Sequence, residues 1–374
     1  MSTSNSQRII SLDYFRGLTI CFMIIVSMPG NYPTTFAPLL HAQWHGFTPT
    51  DLVFPSFLFA SGNALAITLA KNNLNRQQQI IKAFKRALII FLLGILLYWF
   101  PFFSYENSVF KWRPISEIRI MGVLQRIALC YFIVTILALY LSRKLLLIFA
   151  LLLLPAYWLL LYILPHGAEV LGIHDNAVTM LDLKILGDKH IYHGEGFAFD
   201  PEGILSTLPA LFNTIAGFLV AKYLREKKVS ANTVLNILHI GIAMVAVSYF
   251  WNYSFPINKK LWTSSFALHT TGLDIIILSA IVFIVDIRKR NWLVNFFQPF
   301  GKNPLFVYLA FETTGTIMYM IKTTDNHTLY HWIYRHIFSY ATGYIGSFLF
   351  AFTFMILFWL LASWMDKRKI YVRI

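Results

Sequence analysis

The chain has 374 residues, of which 57% are hydrophobic and 13% charged, more apolar side chain than a soluble domain of that length can bury. Its 31 Lys and Arg against 17 Asp and Glu would suit nucleic acid if the basic residues gathered on one surface. They fall instead in short segments between apolar stretches, so nucleic acid is excluded and a lipid bilayer is the implied solvent.

The first eight residues, MSTSNSQR, lead straight into an apolar stretch that carries Asp13 and Arg16 and lacks a small-residue cleavage site, so a retained first helix is expected. Stretches long enough to cross a hydrocarbon core of about 30 Å run roughly over 10–29, 51–70, 87–103, 121–141, 145–164, 203–224, 231–253, 263–285, 302–321 and 343–365. The expectation is an all-α integral membrane protein, one domain over residues 1–374, built as a polytopic bundle of about ten transmembrane helices. Basic clusters in 71–86, at Arg143 and Lys144, and in 222–228, 288–290 and 367–373 share one parity, which places both termini in the cytoplasm. Glu226, Asp286 and Asp366 are the acidic residues in the segments on that side. Cys21 and Cys130 both lie inside apolar stretches and form no disulfide framework.

Two long outer segments, roughly 30–50 and 165–202, differ in kind. The second is hydrophilic and acidic, with Glu169, Asp175, Asp182, Asp188, Glu195, Asp200 and Glu202 near Lys184 and Lys189, and suits an amine-bearing partner. The first, NYPTTFAPLLHAQWHGFTPT, is rich in aromatic and proline residues and has no charge apart from its histidines. Such a loop can re-enter the bundle where protein or a water-filled cavity surrounds it.

Within that loop His41 and His45 are followed by Asp51 at the outer mouth of the second helix. Histidine can accept and return a proton near neutral pH, and a carboxylate beside it fixes its tautomer. Interfacial histidines bonded to backbone satisfy the same spacing. His190 with His193, and His327, His331 and His336, have no cysteine or third ligand arranged beside them, and no metal is expected. Ionisable residues inside the membrane cost on the order of 2.5–3.5 kcal/mol each at mid-helix. Asp13 and Arg16, one turn apart, are expected to pair, either as a structural ion pair or beside an anionic cofactor. Arg126, Asp274 and Glu312, with Gln125 and Arg119, are candidates to line a polar cavity through the bundle.

These residues fall in runs that resemble the heparan-alpha-glucosaminide N-acetyltransferase family, in particular bacterial members. The runs are LDYFRG at 12–17, LLHAQWHGFTPTDLVFPSFLF at 39–59, RIMGVLQRIALCYF at 119–132, FDPEGILSTLPA at 199–210 and GKNPLFVYL at 301–309. LDYFRG recurs more widely in transmembrane acyltransferases; the second and fourth runs are the specific ones. The resemblance implies a multi-pass enzyme of the bacterial inner membrane that takes acetyl from cytosolic acetyl-CoA and delivers it to the amine of an amino sugar or glycan on the outer side.

His41 matches the family's active-site histidine, as general base or acyl carrier, with Asp51 beside it. Where the family commonly has asparagine near the outer end of the first helix, this chain has Ser27. Serine offers one short hydroxyl in place of a longer-reaching donor and acceptor for a thioester oxyanion. Arg16, Lys82, Lys85 and Arg86 are the candidates to bind the cofactor's phosphates, although positive-inside topology already accounts for the basic cluster. Arg119, Gln125, Arg126, Asp200, Glu202 and Glu312 are the candidates on the acceptor side. A homodimer is left open.

Two other functions fit the same composition. A solute transporter for an amino sugar uses intramembrane charges but is expected to show broken helices in paired halves, which the sequence does not display. A non-enzymatic glycan-binding or lipid-binding partner acting through 165–202 leaves the intramembrane charges unexplained.

Overall fold

The computed structural model describes residues 9–71, 74–106, 109–290, 294–323 and 327–372. Arg373, part of the last basic cluster, and residues 1–8 fall outside them. The chain is mostly helical. Its helices are α1 (Ile10–Ser27), α2 (Val53–Lys71), α3 (Arg76–Trp99), α4 (Val123–Tyr140), α5 (Arg143–Ile163), α6 (Ala177–Leu186), α7 (Thr207–Lys227), α8 (Ala231–Trp251), α9 (Ser264–Val282), α10 (Val294–Lys302), α11 (Pro304–Met320), α12 (Leu329–Ile333) and α13 (Tyr344–Lys367). One small hairpin, β1 (Phe103–Glu106) against β2 (Val109–Trp112), interrupts the helical pattern.

Every expected apolar stretch is helical. Eight are long and apolar enough to cross a membrane, and the fold is that of a multi-pass membrane protein. The other two differ in instructive ways. α3 has 24 residues but carries Lys82, Lys85 and Arg86 on its first half, and α11 has 17 residues, just short of a hydrocarbon core at 1.5 Å per residue. One stripe of α3, Phe84, Leu88, Leu92 and Leu96, recurs every four residues and is exposed, as a lipid-facing stripe must be. Asn75, Ser142, Ser230 and Thr263 cap α3, α5, α8 and α9 by accepting backbone N–H bonds, which fixes where these helices begin.

Consecutive helices run up and down, so the molecule has two unlike ends. At the basic end Arg143 pairs with Glu226 at 3.2 Å and Lys302 with Asp366 at 2.8 Å. There too the Arg225 Nη1 donates to the Ala66 carbonyl at 3.2 Å. The opposite end carries the hairpin, residues 28–52 and residues 164–206. Helices α2 and α7 cross closely because Gly62 faces the backbone of Thr214 and Gly217 faces the backbone of Phe59, the small-residue contact by which helices approach in lipid. That crossing sets the start of α2, and hence Asp51, beside the segment that leads into α7.

Candidate active site

Residues 30–52 form no long helix. They turn three times, at Tyr32–Thr34, Ala37–Leu39 and Pro49–Leu52, over the non-basic end of the bundle. The last turn follows from its sequence. In TPTD, Thr48 and Asp51 form a reciprocal capping box with Pro49 in the first turn, a strong helix-start signal. The Asp51 Oδ2 accepts the backbone N–H groups of Thr48 at 2.9 Å and Ala42 at 3.2 Å. That leaves Oδ1 for the His41 Nδ1, 2.7 Å away. Asp51 is fully buried, whereas the His41 side chain keeps 49% of its surface exposed.

With Nδ1–H committed to a carboxylate, the neutral imidazole holds its free lone pair on Nε2. Burial, together with the Lys259 ammonium, holds the ring below its ordinary 6.5, against the opposite influence of Asp51 and Glu202. A neutral, oriented and accessible imidazole is what a general base at neutral pH requires. His45 lies beside Asn258, 3.3 Å from its Nδ2. Trp44 fastens the loop to the 165–202 segment, donating to the Leu171 carbonyl at 3.0 Å and packing on Phe199.

The structure gathers three of the acceptor-side candidates into one ion-pair network. Arg119 donates to both oxygens of Asp200, at 2.6 and 2.9 Å, and to Glu202 at 2.6 Å, with the rings of Tyr98 and Tyr192 on its flanks. Asp200 and Glu202 are therefore engaged with Arg119, not free in a vestibule. Arg126 is fully buried. It donates to the Gly203 carbonyl at 3.0 Å and to the Ser206 hydroxyl, with its guanidinium 4.9 Å from the centre of the Trp262 ring.

Gln125 is also fully buried. Both atoms of its amide lack a hydrogen-bond partner, as do both in Asn63 on α2. Asp274 bonds to Ser56 through one oxygen, and its other oxygen has no partner. Glu312 sits on α11 near Tyr98 and Tyr308. Ser27 ends α1 and is exposed; no hydrogen bond joins it to His41.

At the basic end a cleft of about 370 Å³ opens between α2, α3 and α4, lined among others by Lys82, Lys85, Arg86, Thr68 and Tyr131. Arg16 does not line it; its Nη2 pairs with Asp13 at 2.8 Å, as the one-turn spacing led one to expect. The candidate histidines for metal are each engaged elsewhere: His190 with the Ile118 carbonyl, His193 with Asp188, His327 with Arg335, His331 with Thr328 and His336 with the Trp332 carbonyl. Among the described residues no group of three or more His, Cys, Asp or Glu stands ready for a metal ion.

Sequence reasoning missed Lys259. Its Nζ lies 3.1 Å from Nε2 and 3.2 Å from Nδ1 of His41. The one available signal was a basic pair, Lys259–Lys260, on the side of the membrane that topology leaves poor in basic residues.

A family profile described as heparan-alpha-glucosaminide N-acetyltransferase, catalytic, matches residues 8–186, which include α1, residues 30–52, the basic cleft, Arg119 and Arg126. The human heparan-alpha-glucosaminide N-acetyltransferase is 28% identical over 86% of this chain and 55% of its own length. The mouse protein of the same name is 27% identical over 83% of this chain and 54% of its own. The chain thus spans about half the length of these curated relatives. Over its first half the chain is similar to the heparan-alpha-glucosaminide N-acetyltransferase catalytic profile, and over most of its length to these two relatives.

Proposed function

We propose that the chain is a membrane acetyltransferase that takes acetyl from acetyl-CoA at its basic, cytoplasmic end and passes it to the amine of an amino sugar at the opposite end, with His41 as general base. The observation that carries this reading is the His41–Asp51 pair, which combines a fixed tautomer, an accessible Nε2 and a position opposite the basic cleft. The names of the relatives support acetyl transfer to a glucosaminide.

The residues present fit an acyl-CoA donor. Lys82, Lys85 and Arg86 gather at the cleft where phosphates would be neutralised. From Arg86 to Tyr98, α3 climbs about 18 Å at 1.5 Å per residue, the scale of a pantetheine arm. On neighbouring helices the amides of Asn63 and Gln125 are buried without partners, where a donor carrying amide groups of its own would satisfy them. The donor supplies an activated acetyl thioester. At the far end His41 Nε2 would take the proton from the amine as its nitrogen bonds to the acetyl carbon, Asp51 would stabilise the resulting imidazolium, and on cleavage of the C–S bond the imidazolium would return the proton to the departing thiolate. Arg119, with Asp200 and Glu202, braces the wall beside it. No hydrogen bond joins Ser27 to His41, and the scheme gives it no role.

The setting that fits is the cytoplasmic membrane of a bacterium, with the sugar on the outer side. The test is to incubate purified protein with labelled acetyl-CoA and a panel of amino sugars, following both acetylated product and labelled protein. Acetylated sugar without acceptor-independent labelling of the protein is the expected result. Labelled His41 in the absence of acceptor would replace the general base with an acyl carrier, and no transfer to any amine would overturn the reading.

A further inference from the structure

Lys259 sits on the turn between α8 and α9, and that turn is rigidly built. The Asn258 backbone N–H donates to Thr263 Oγ1 at 3.0 Å, its side-chain oxygen accepts the Leu261 N–H at 2.8 Å, and the Trp262 N–H donates to the Lys259 carbonyl at 3.0 Å. The Gly46 N–H donates to the Ile257 carbonyl at 2.8 Å, tying this turn directly to the loop that carries His41. The two adjacent lysines are sorted by it. Lys260 turns to Glu195 at 2.6 Å, whereas Lys259 points at the imidazole.

The Lys259 Nζ is almost equidistant from the two ring nitrogens, 3.1 Å from Nε2 and 3.2 Å from Nδ1, which puts the ammonium over the ring face and leaves the Nε2 lone pair, in the ring plane, open. A cation there opposes a second proton on the ring. The charged groups facing His41 are Asp51 from the start of α2, Glu202 from the segment before α7, and Lys259 from the α8–α9 turn. The two carboxylates favour the imidazolium, and burial and Lys259 oppose them. Burial holds Lys259 itself below the ordinary lysine range, with Lys260 adding to it, against Glu202 and Asp51, which favour its charged form.

We propose that Lys259 is a positioning residue that keeps Nε2 of His41 unprotonated at neutral pH and available to the incoming amine. Resting on the general-base reading of His41, it adds to that reading a cation that, together with burial, offsets the two carboxylates favouring the imidazolium.

The experiment reads His41 directly. The pH dependence of its carbethoxylation by diethyl pyrocarbonate, quantified on the His41 peptide by mass spectrometry, reports the unprotonated ring whether or not the protein turns over. In the parent protein the midpoint is expected below 6.5. In Lys259→Met and in Lys259→Gln, each checked for native thermal unfolding, it should rise by about one unit, the effect of removing a unit charge at this distance even with water-like screening. Lys259→Arg should keep the parent midpoint. Transfer by Lys259→Met should be several-fold below the parent at pH 6.5 and recover toward it at pH 8.5, which a merely structural defect would not do.

Parent-like midpoints in both neutral variants overturn the proposal, and so does an equal rise in Lys259→Arg. Full turnover in His41→Ala would instead remove the general-base reading, while a shifted midpoint would still establish that Lys259 sets the protonation of His41.

Discussion

At His41 the two oxygens of Asp51 are not equivalent, because Oδ2 accepts two backbone N–H groups while Oδ1 faces the imidazole. An Asp51→Asn side chain must keep its oxygen toward those N–H groups and so turns its NH₂ toward Nδ1. The ring then shifts its proton to Nε2 and loses the lone pair that the reaction uses. Transfer by Asp51→Asn should fall by about 10²–10⁴-fold, the usual value of general-base assistance, with the affinity for acetyl-CoA nearly unchanged. Steady-state turnover and equilibrium binding check the two halves of that statement. The pH dependence has a definite sign. Because the His41 ring is held below 6.5, the base stays competent as pH falls to 6.5, and the acid limb of kcat/KM should lie below that value. The pair was legible in the sequence because it is local, ten residues apart within one loop. Lys259 was not, because its contact spans 218 positions and nothing in a lysine pair reveals which one turns inward.

Among the elements, α3 and the α2–α7 crossing make separable predictions. Lys82 and Lys85 line the basic cleft, and Arg16 does not. The double variant Lys82→Ala, Lys85→Ala should therefore weaken acetyl-CoA binding and flatten its salt dependence, while Arg16→Ala should leave both close to the parent. Isothermal titration at two ionic strengths distinguishes them. At the crossing, a side chain on Gly62 runs into the Thr214 backbone. Gly62→Leu should lower the thermal midpoint in detergent, by the equivalent of about 1–3 kcal/mol or more for an overpacked contact. Gly315→Ala, at a position with open space around it, is the control and should be silent.

The helices themselves were legible, since an apolar stretch of membrane length has few alternatives. The hairpin at 103–112 was not, because strands of 4 residues leave too little periodicity to read. Arg119, Asp200 and Glu202 were each visible as candidates, but their mutual pairing across 81 and 83 positions depends on how α4 and α7 pack. That pairing engages both carboxylates with Arg119 instead of leaving them in an open acidic vestibule.

For the whole molecule, the unlike ends of the bundle are the basis of the proposed function. The basic asymmetry predicts that Gln77 faces the cytoplasm and Asn176 the opposite side. An impermeant thiol reagent added to intact cells should label a cysteine placed at Asn176 and spare one at Gln77; the reverse pattern would invert the orientation and with it the entry side of the donor. Composition and loop charge predict this sidedness without any tertiary information, whereas the proposed path between the two ends, past Asn63 and Gln125, rests on the packing of α2, α3 and α4. The most direct measurement uses proteoliposomes of one orientation, with labelled acetyl-CoA confined to the side of Lys82 and Lys85 and an amino sugar confined to the side of His41. The account predicts acetylated sugar on the His41 side, abolished in His41→Ala. Product formed only when donor and sugar share one compartment, or undiminished product with His41→Ala, would contradict it.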